Sequence, residues 1–91
     1  MRIVYARQAL ADMGWFRQYN MTVFPEGQGR ARDALLRTEA LVAENPRAGH
    51  PTEPGAETRE FPILRTPFSL IYRLKDDRIE ILRVLDLRSL R

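Results

Sequence analysis

Residues 65–91 read RTPFSLIYRLKDDRIEILRVLDLRSLR. Two runs rich in β-branched and aromatic residues, PFSLIYRL and RIEILRVLD, flank the pair Asp76-Asp77. Such runs about a short polar turn predict an antiparallel hairpin, and Asp suits the turn because its carboxylate hydrogen-bonds nearby backbone. Pairing outward from the turn sets Leu74 against Ile79, Arg73 against Glu80, Tyr72 against Ile81, Leu70 against Arg83 and Phe68 against Leu85. Successive side chains on a strand point to opposite faces. One face then holds Phe68, Leu70, Tyr72, Leu74, Ile79, Ile81 and Leu85, and is the expected core face. Arg83 is its one intruder, expected to lay its stem on the core and turn its head outward. The other face holds Ser69, Ile71, Arg73, Glu80, Leu82 and Val84. Arg73 and Glu80 are placed to pair across the strands. Ile71, Leu82 and Val84 form an outward apolar patch beside Arg73, and a patch rimmed by charge points to a protein-binding surface.

Working back from the hairpin, TREFPIL at residues 58–64 reads as a third strand, with Pro62 at an edge or bulge because it has no N–H to donate. RIVYA gives a first strand at residues 2–5. Two helical stripes lie between. Ala6, Ala9, Leu10, Met13 and Phe16 recur at helical spacing, as do Ala31, Ala34, Leu35, Thr38, Leu41 and Val42. Asn45-Pro46 ends the second helix, since the residue before proline is driven out of helical geometry. NMTVFPEGQG, residues 20–29, is expected as the loop of an antiparallel helical hairpin. Neither helix can bury its stripe alone, so both need a sheet. The predicted architecture is α+β: a strand, a helical hairpin, then a three-stranded antiparallel meander with both helices on one face. Trp15 falls on the far side of the first helix, where it either covers a neighbouring loop or serves as a partner-binding anchor. Residues 46–58, PRAGHPTEPGAET, read as a loop with His50 solvated in it.

Composition bounds the function. Ninety-one residues make one small domain, 1–91, with a thin core, which a partner that binds the folded form would stabilise. No cysteine and one histidine exclude disulfides, thiolate sites and histidine-rich metal sites, so no metal or cofactor is expected. No run of eighteen apolar residues and no secretory leader appear, which points to a soluble cytoplasmic protein without a membrane role. Residues 1–58 carry seven arginines against seven acids, and residues 59–91 carry seven arginines and Lys75 against five acids, so the whole net charge of +3 lies in the last third. Arginine's planar fork binds phosphate or carboxylate bidentately. Arg65, Arg73, Arg83 and Arg88 could steady a phosphoryl transition state. Arginines supply no proton transfer, however, and Ser69 and Ser89 have no adjacent base. There is no glycine-rich phosphate loop and no HExxH, and no catalytic set is assigned.

Four segments, ENPRAGHP, PGAETREFPI, RTPFSLIYRL and IEILRVLDLRS, occur in an order that resembles the RelE/ParE toxin superfamily. The resemblance implies the toxin of a type II toxin–antitoxin pair, wrapped and silenced by an antitoxin. RelE-like members cut messenger RNA on the ribosome with basic residues and a Tyr or His near the C-terminus. Arg65 and Arg88 match the basic positions by order, but only Ser89, Leu90 and Arg91 follow Arg88. The resemblance is therefore to the ParE-like branch, which poisons DNA gyrase. It implies a cognate ParD-like antitoxin as partner and gyrase as target, with Arg65, Arg88 and Arg91 free for partners. The expected partner-binding set is Trp15, Arg65, Ile71, Arg73, Leu82, Val84 and Arg88. Two other readings stay open: a ribosome-dependent endoribonuclease that draws its proton donor from Tyr72, Glu57 or His50, and a small binding module with no toxicity.

Overall fold

The computed structural model describes residues 1–23 and 25–89. In chain order it contains β1 (Arg2–Tyr5), α1 (Arg7–Gln18), a π-helical turn (Tyr19–Val23), a 3-10 turn (Pro25–Gly27) and α2 (Gln28–Glu44). Then come β2 (His50–Pro51), β3 (Thr58–Pro62), β4 (Phe68–Leu74), β5 (Arg78–Asp86) and a final 3-10 turn (Leu87–Ser89). The strands form one sheet in the order β1-β5-β4-β3-β2. β1 runs parallel to β5, and the other neighbours are antiparallel. The α+β architecture expected from the sequence is present, with the helices packed against the sheet, and the sheet has five strands where four were expected.

The core joins Ala9, Met13 and Phe16 of α1, and Ala31, Thr38 and Val42 of α2, to Ile63, Phe68, Leu70, Tyr72, Ile79, Ile81 and Val84. The Phe16 ring meets Phe68 edge-on at 4.9 Å between centroids, a geometry that places a positive ring edge on a negative ring face. Both buried stripes are narrower than expected. Leu10 is 60% exposed and Leu41 is exposed too. At 100° per residue, both sit about 80–90° from the centre line of their buried stripe. The connection expected as an open loop is instead wound into short helical turns. Asn20 Nδ2 donates to the Phe16 carbonyl at 2.8 Å, and the Thr22 hydroxyl donates to the Gln18 carbonyl at 2.7 Å. These bonds carry the helical backbone past the end of α1.

The hairpin follows the expected register next to its turn and departs from it farther out. Leu74 faces Ile79, Arg73 faces Glu80 and Tyr72 faces Ile81. The register then shifts, so that Ile71 faces Arg83, Leu70 faces Val84, Ser69 faces Leu85 and Phe68 faces Asp86. Leu82 is the extra residue of a β-bulge. The expected pairs Leu70–Arg83 and Phe68–Leu85 are thereby corrected. The slip moves Val84 into the core at 3% exposure and takes Arg83 out of it. Burying an unpaired guanidinium costs several kcal/mol, whereas burying a valine gains about 1.5–3 kcal/mol. The bulge obtains the second outcome in place of the first.

The segment expected as a plain loop carries β2, whose His50 and Pro51 face Glu60 and Arg59. Buried Tyr72 anchors it. Its hydroxyl donates to the Pro46 carbonyl at 2.8 Å and accepts the Gly49 N–H at 2.9 Å. A Cβ on Gly49 would lie 2.7 Å from Tyr72 Oη and 2.8 Å from the Glu60 carbonyl. That close approach is the physical content of Pro46-x-x-Gly49. Pro62 ends β3 beyond the part that β2 covers, where its missing N–H leaves no ladder bond unmade.

Candidate partner-binding surface

Opposite the helices, the sheet presents Ile71 and Leu82, both half-buried, beside Val4, which is exposed. Val84, expected in this patch, is in the core instead. Arg73 lies here but is committed: its Nε donates to Glu80 Oε1 at 2.6 Å, and Arg78 holds the other carboxylate oxygen at 2.9 Å. The bond from Arg73, with further help from Arg78, keeps the Glu80 carboxyl below its ordinary range despite partial desolvation. Ser69 is fully buried on this strand, which closes it to attack on a substrate.

The outer half of β5 is tied to α1. β1 ends opposite Ile81, so the next stretch of β5 has β4 on one side and no strand on the other. Asp12 takes that place. Its carboxylate accepts the Val84 N–H at 2.9 Å and two bonds from Arg83, at 2.7 and 3.1 Å. Burial alone would raise the Asp12 pKa, but the bonds from Arg83 and Val84 outweigh it and lower the value. Arg83 therefore reaches round the sheet edge and does not lie over the core.

One helical step further, Trp15 Nε1 donates to Asp86 Oδ2 at 2.8 Å. The same carboxylate accepts Arg88 through Nε at 2.9 Å and Nη2 at 2.7 Å, and the Arg88 N–H at 3.0 Å. The Arg88 guanidinium also lies 4.1 Å above the Tyr19 ring, a cation–π contact. Mainly through Arg88, and against the effect of burial, the Asp86 carboxyl is pulled down to about 2. Trp15 and Arg88, far apart in sequence, thus meet on one carboxylate. Arg88, expected to be free, is clasped by Asp86 and Tyr19. Arg91 lies outside the described residues.

Arg65 stands between β3 and β4 with φ 64°, a left-handed conformation that costs a non-glycine residue about 1–2 kcal/mol. Thr66 fixes the turn. Its hydroxyl donates to the Ile63 carbonyl at 2.8 Å and accepts the Phe68 N–H at 3.1 Å. Among the described residues Arg65 has no ion-pair partner, and it faces a cleft of about 310 Å³ whose other walls include Tyr19, Asn20, Arg30 and Thr66.

One apolar surface feature escaped the sequence reading. Between α1 and α2 runs an apolar groove of about 440 Å³, walled by Tyr5, Leu10, Met13, Phe16, Leu35 and Leu36, with Met21, Arg17 and Arg32 at its margin. Leu10, Met21 and Leu36 are each more than half exposed. The available signal was Leu36, a leucine off the core stripe, whereas Leu10 was read as part of its stripe. Below the groove the Tyr5 hydroxyl donates to Glu39, and burial, reinforced by that carboxylate, pushes the Tyr5 pKa far above its ordinary value.

The residues considered as proton donors are scattered. The Tyr72 side chain is fully buried with its hydroxyl already bonded twice. His50 is exposed on the edge strand β2, and Glu57 is exposed just before β3. Among the described residues no three His, Cys, Asp or Glu gather to hold a metal ion.

A helical hairpin laid on a mixed five-stranded sheet, with a short strand pinned by a buried tyrosine, places the chain in the fold of the RelE/ParE toxins. A chain of the chromosomal ParDE toxin–antitoxin system from P. aeruginosa has this fold, with a TM-score of 0.73 at 22% identity over 96% of each chain. YafQ from E. coli strain BL21(DE3) and a point mutant of YafQ from E. coli each give a TM-score of 0.63 at 20% identity, over 99% of this chain and 98% of theirs. No curated protein matches the chain. The family described as the ParE toxin of the type II toxin–antitoxin system, parDE, matches residues 3–90. The chain belongs to that ParE toxin family, and membership implies an antitoxin partner.

Proposed function

We propose that the chain arrests growth by binding DNA gyrase in the cytoplasm, and that a cognate ParD-like antitoxin neutralises it by filling the groove between α1 and α2. One observation carries the choice of binding over chemistry. Arg73, Arg83 and Arg88, which could have served a phosphoryl transition state, are each held by a carboxylate of this chain: Glu80, Asp12 and Asp86. A guanidinium already neutralised by its own fold orders a surface and is poorly placed to meet a new phosphate charge. Messenger cleavage would also need a proton donor, and Tyr72 is sealed in the core by two bonds. The groove has the opposite character: leucine and aromatic walls, with Arg17 and Arg32 at the margin. Such a groove accepts the apolar face of an amphipathic helix. Gyrase as the target is supported by membership of the ParE family.

The deciding experiment is a supercoiling assay with purified gyrase, run beside an in vitro translation reaction. The expected result is inhibited supercoiling with intact messenger and normal translation. Cut messenger with untouched gyrase would overturn the proposal in favour of the ribonuclease reading. No effect on either, together with no growth arrest in cells, would leave a non-toxic binding module.

A further inference from the structure

The cleft in front of Arg65 and the groove between the helices are neighbours that share two lining residues. Both are bounded by Asn20 and Ala31, and these two residues are buried. Beyond them the wall chemistry changes. The groove side is mainly apolar, whereas the cleft lining brings together Arg30, from the first turn of α2, and Arg65, from the β3–β4 turn. Among the described residues no acidic residue lines either the groove or the cleft. Arg30 and Arg65 make no ion pair among the described residues, unlike Arg73, Arg78, Arg83 and Arg88. The backbone at Arg65 is held left-handed by the Thr66 bonds, so its guanidinium is presented by a rigid turn.

We propose that this cleft is a carboxylate-reading site that receives an acidic stretch of the antitoxin adjoining the helix in the groove, and that Arg30 and Arg65 decide which antitoxin is accepted. The inference rests on the groove being the antitoxin site. Two forks lining one cleft, with no acidic residue among its described lining, suit a pair of carboxylates. A nucleic acid would satisfy the same arginines with phosphate, but it has nothing to place in a neighbouring apolar groove. A protein segment that is apolar over two helical turns and acidic beyond them satisfies both compartments at once. Charge pairs of this kind set partner choice and association rate.

The test uses the whole chain and the antitoxin encoded beside it, with affinity measured by calorimetry at several salt concentrations. Arg30→Ala and Arg65→Gly are the variants, because glycine adopts the left-handed backbone without strain. Arg37→Ala, an exposed arginine of α2 outside both compartments, is the control, and circular dichroism checks that each variant folds. Each cleft variant is expected to weaken binding about tenfold, equivalent to about 1.4 kcal/mol, and to flatten the dependence of affinity on salt. Neutralising the matching acidic residues of the antitoxin should give the same loss, and the two changes together should cost far less than their sum. Leu36→Ala, in the groove, should weaken binding while the salt slope stays. Wild-type affinity and salt slope in both cleft variants, with Leu36→Ala impaired, would overturn the cleft inference and leave the groove reading standing. Absence of any binding would overturn both. Unchanged antitoxin affinity with lost binding to a 20-base-pair DNA duplex would overturn the inference by making the cleft a phosphate site.

Discussion

Removing one oxygen from the core separates a structural tyrosine from a catalytic one. In Tyr72→Phe the ring stays in place among Leu70, Ile79 and Ile81, and only the hydroxyl goes. Two bonds vanish, one to the Pro46 carbonyl at 2.8 Å and one from the Gly49 N–H at 2.9 Å. Gly49 is buried, so its amide is left without a partner. A lost hydrogen bond costs about 1 kcal/mol, and a stranded buried donor costs about 1–3 kcal/mol. The sum is about 2–4 kcal/mol, which for a domain of this length lowers the melting temperature by roughly 8–30 °C. The assay is thermal and urea unfolding by circular dichroism, with hydrogen exchange read at the Gly49 amide. Exchange there should accelerate sharply, because the loop carrying β2 loses its anchor. Toxicity should fall only in proportion to the folded fraction and return at lower temperature. Gly49→Ala should disturb the same contact, and part of its cost should vanish in the Tyr72→Phe background, since Tyr72 Oη is one of the three atoms its Cβ would strike. A melting point within about 2 °C of wild type, with toxicity abolished, would refute this account and make Tyr72 a proton donor.

Two further outcomes follow from the strand end and its clamps. The Asp86 carboxyl is held at about 2 in the folded chain, against about 3.9 when unfolded. A depressed folded value means that its contribution is complete above about pH 4 and is lost as pH falls toward about 2. Acid titration of unfolding stability should therefore show a steep limb between pH 4 and 2, and Asp86→Asn should flatten it; an unchanged limb would show that the Arg88–Trp15 clamp adds nothing. The bulge at Leu82 predicts that Val84→Ala costs about 2 kcal/mol, from two buried methyl groups and the space they leave. Leu82→Ala, half-buried on the open face, should cost less than about 1 kcal/mol on the same scale of burial. Urea midpoints in the reverse order would restore the unbulged register.

Much of the fold was legible because its signals are local. The hairpin turn, the first three pairs beside it, the stop at Asn45-Pro46 and the buried lines through Ala9, Met13 and Phe16 and through Ala31, Thr38 and Val42 all depend on neighbours a few residues away. The bulge was half legible. Arg83 at a core position and Val84 at a surface position were one error seen twice, and a single slip repairs both, since a shift of one residue exchanges the two faces of a strand. Strict alternation hid it. The site was read less well for the same reason. Trp15, Arg65 and Arg88 were recognisable as residue types suited to recognition, but their partners were not.

Sequence alone determined the α+β class, the order of its main elements and the exclusion of thiolate metal sites, because composition and periodicity carry those directly, while four ordered segments from ENPRAGHP to IEILRVLDLRS carried the RelE/ParE resemblance. Folding decided which arginines are free. Asp12 and Arg83 are 71 residues apart, as are Trp15 and Asp86, and no spacing rule reaches that far. Where β1 stops beside β5, an aspartate from α1 must complete the edge. Where α1 ends, Trp15 and Tyr19 meet the returning chain and hold Arg88. Among the described residues, Arg30 and Arg65 of the cleft remain without an ion pair after these long-range contacts have been made.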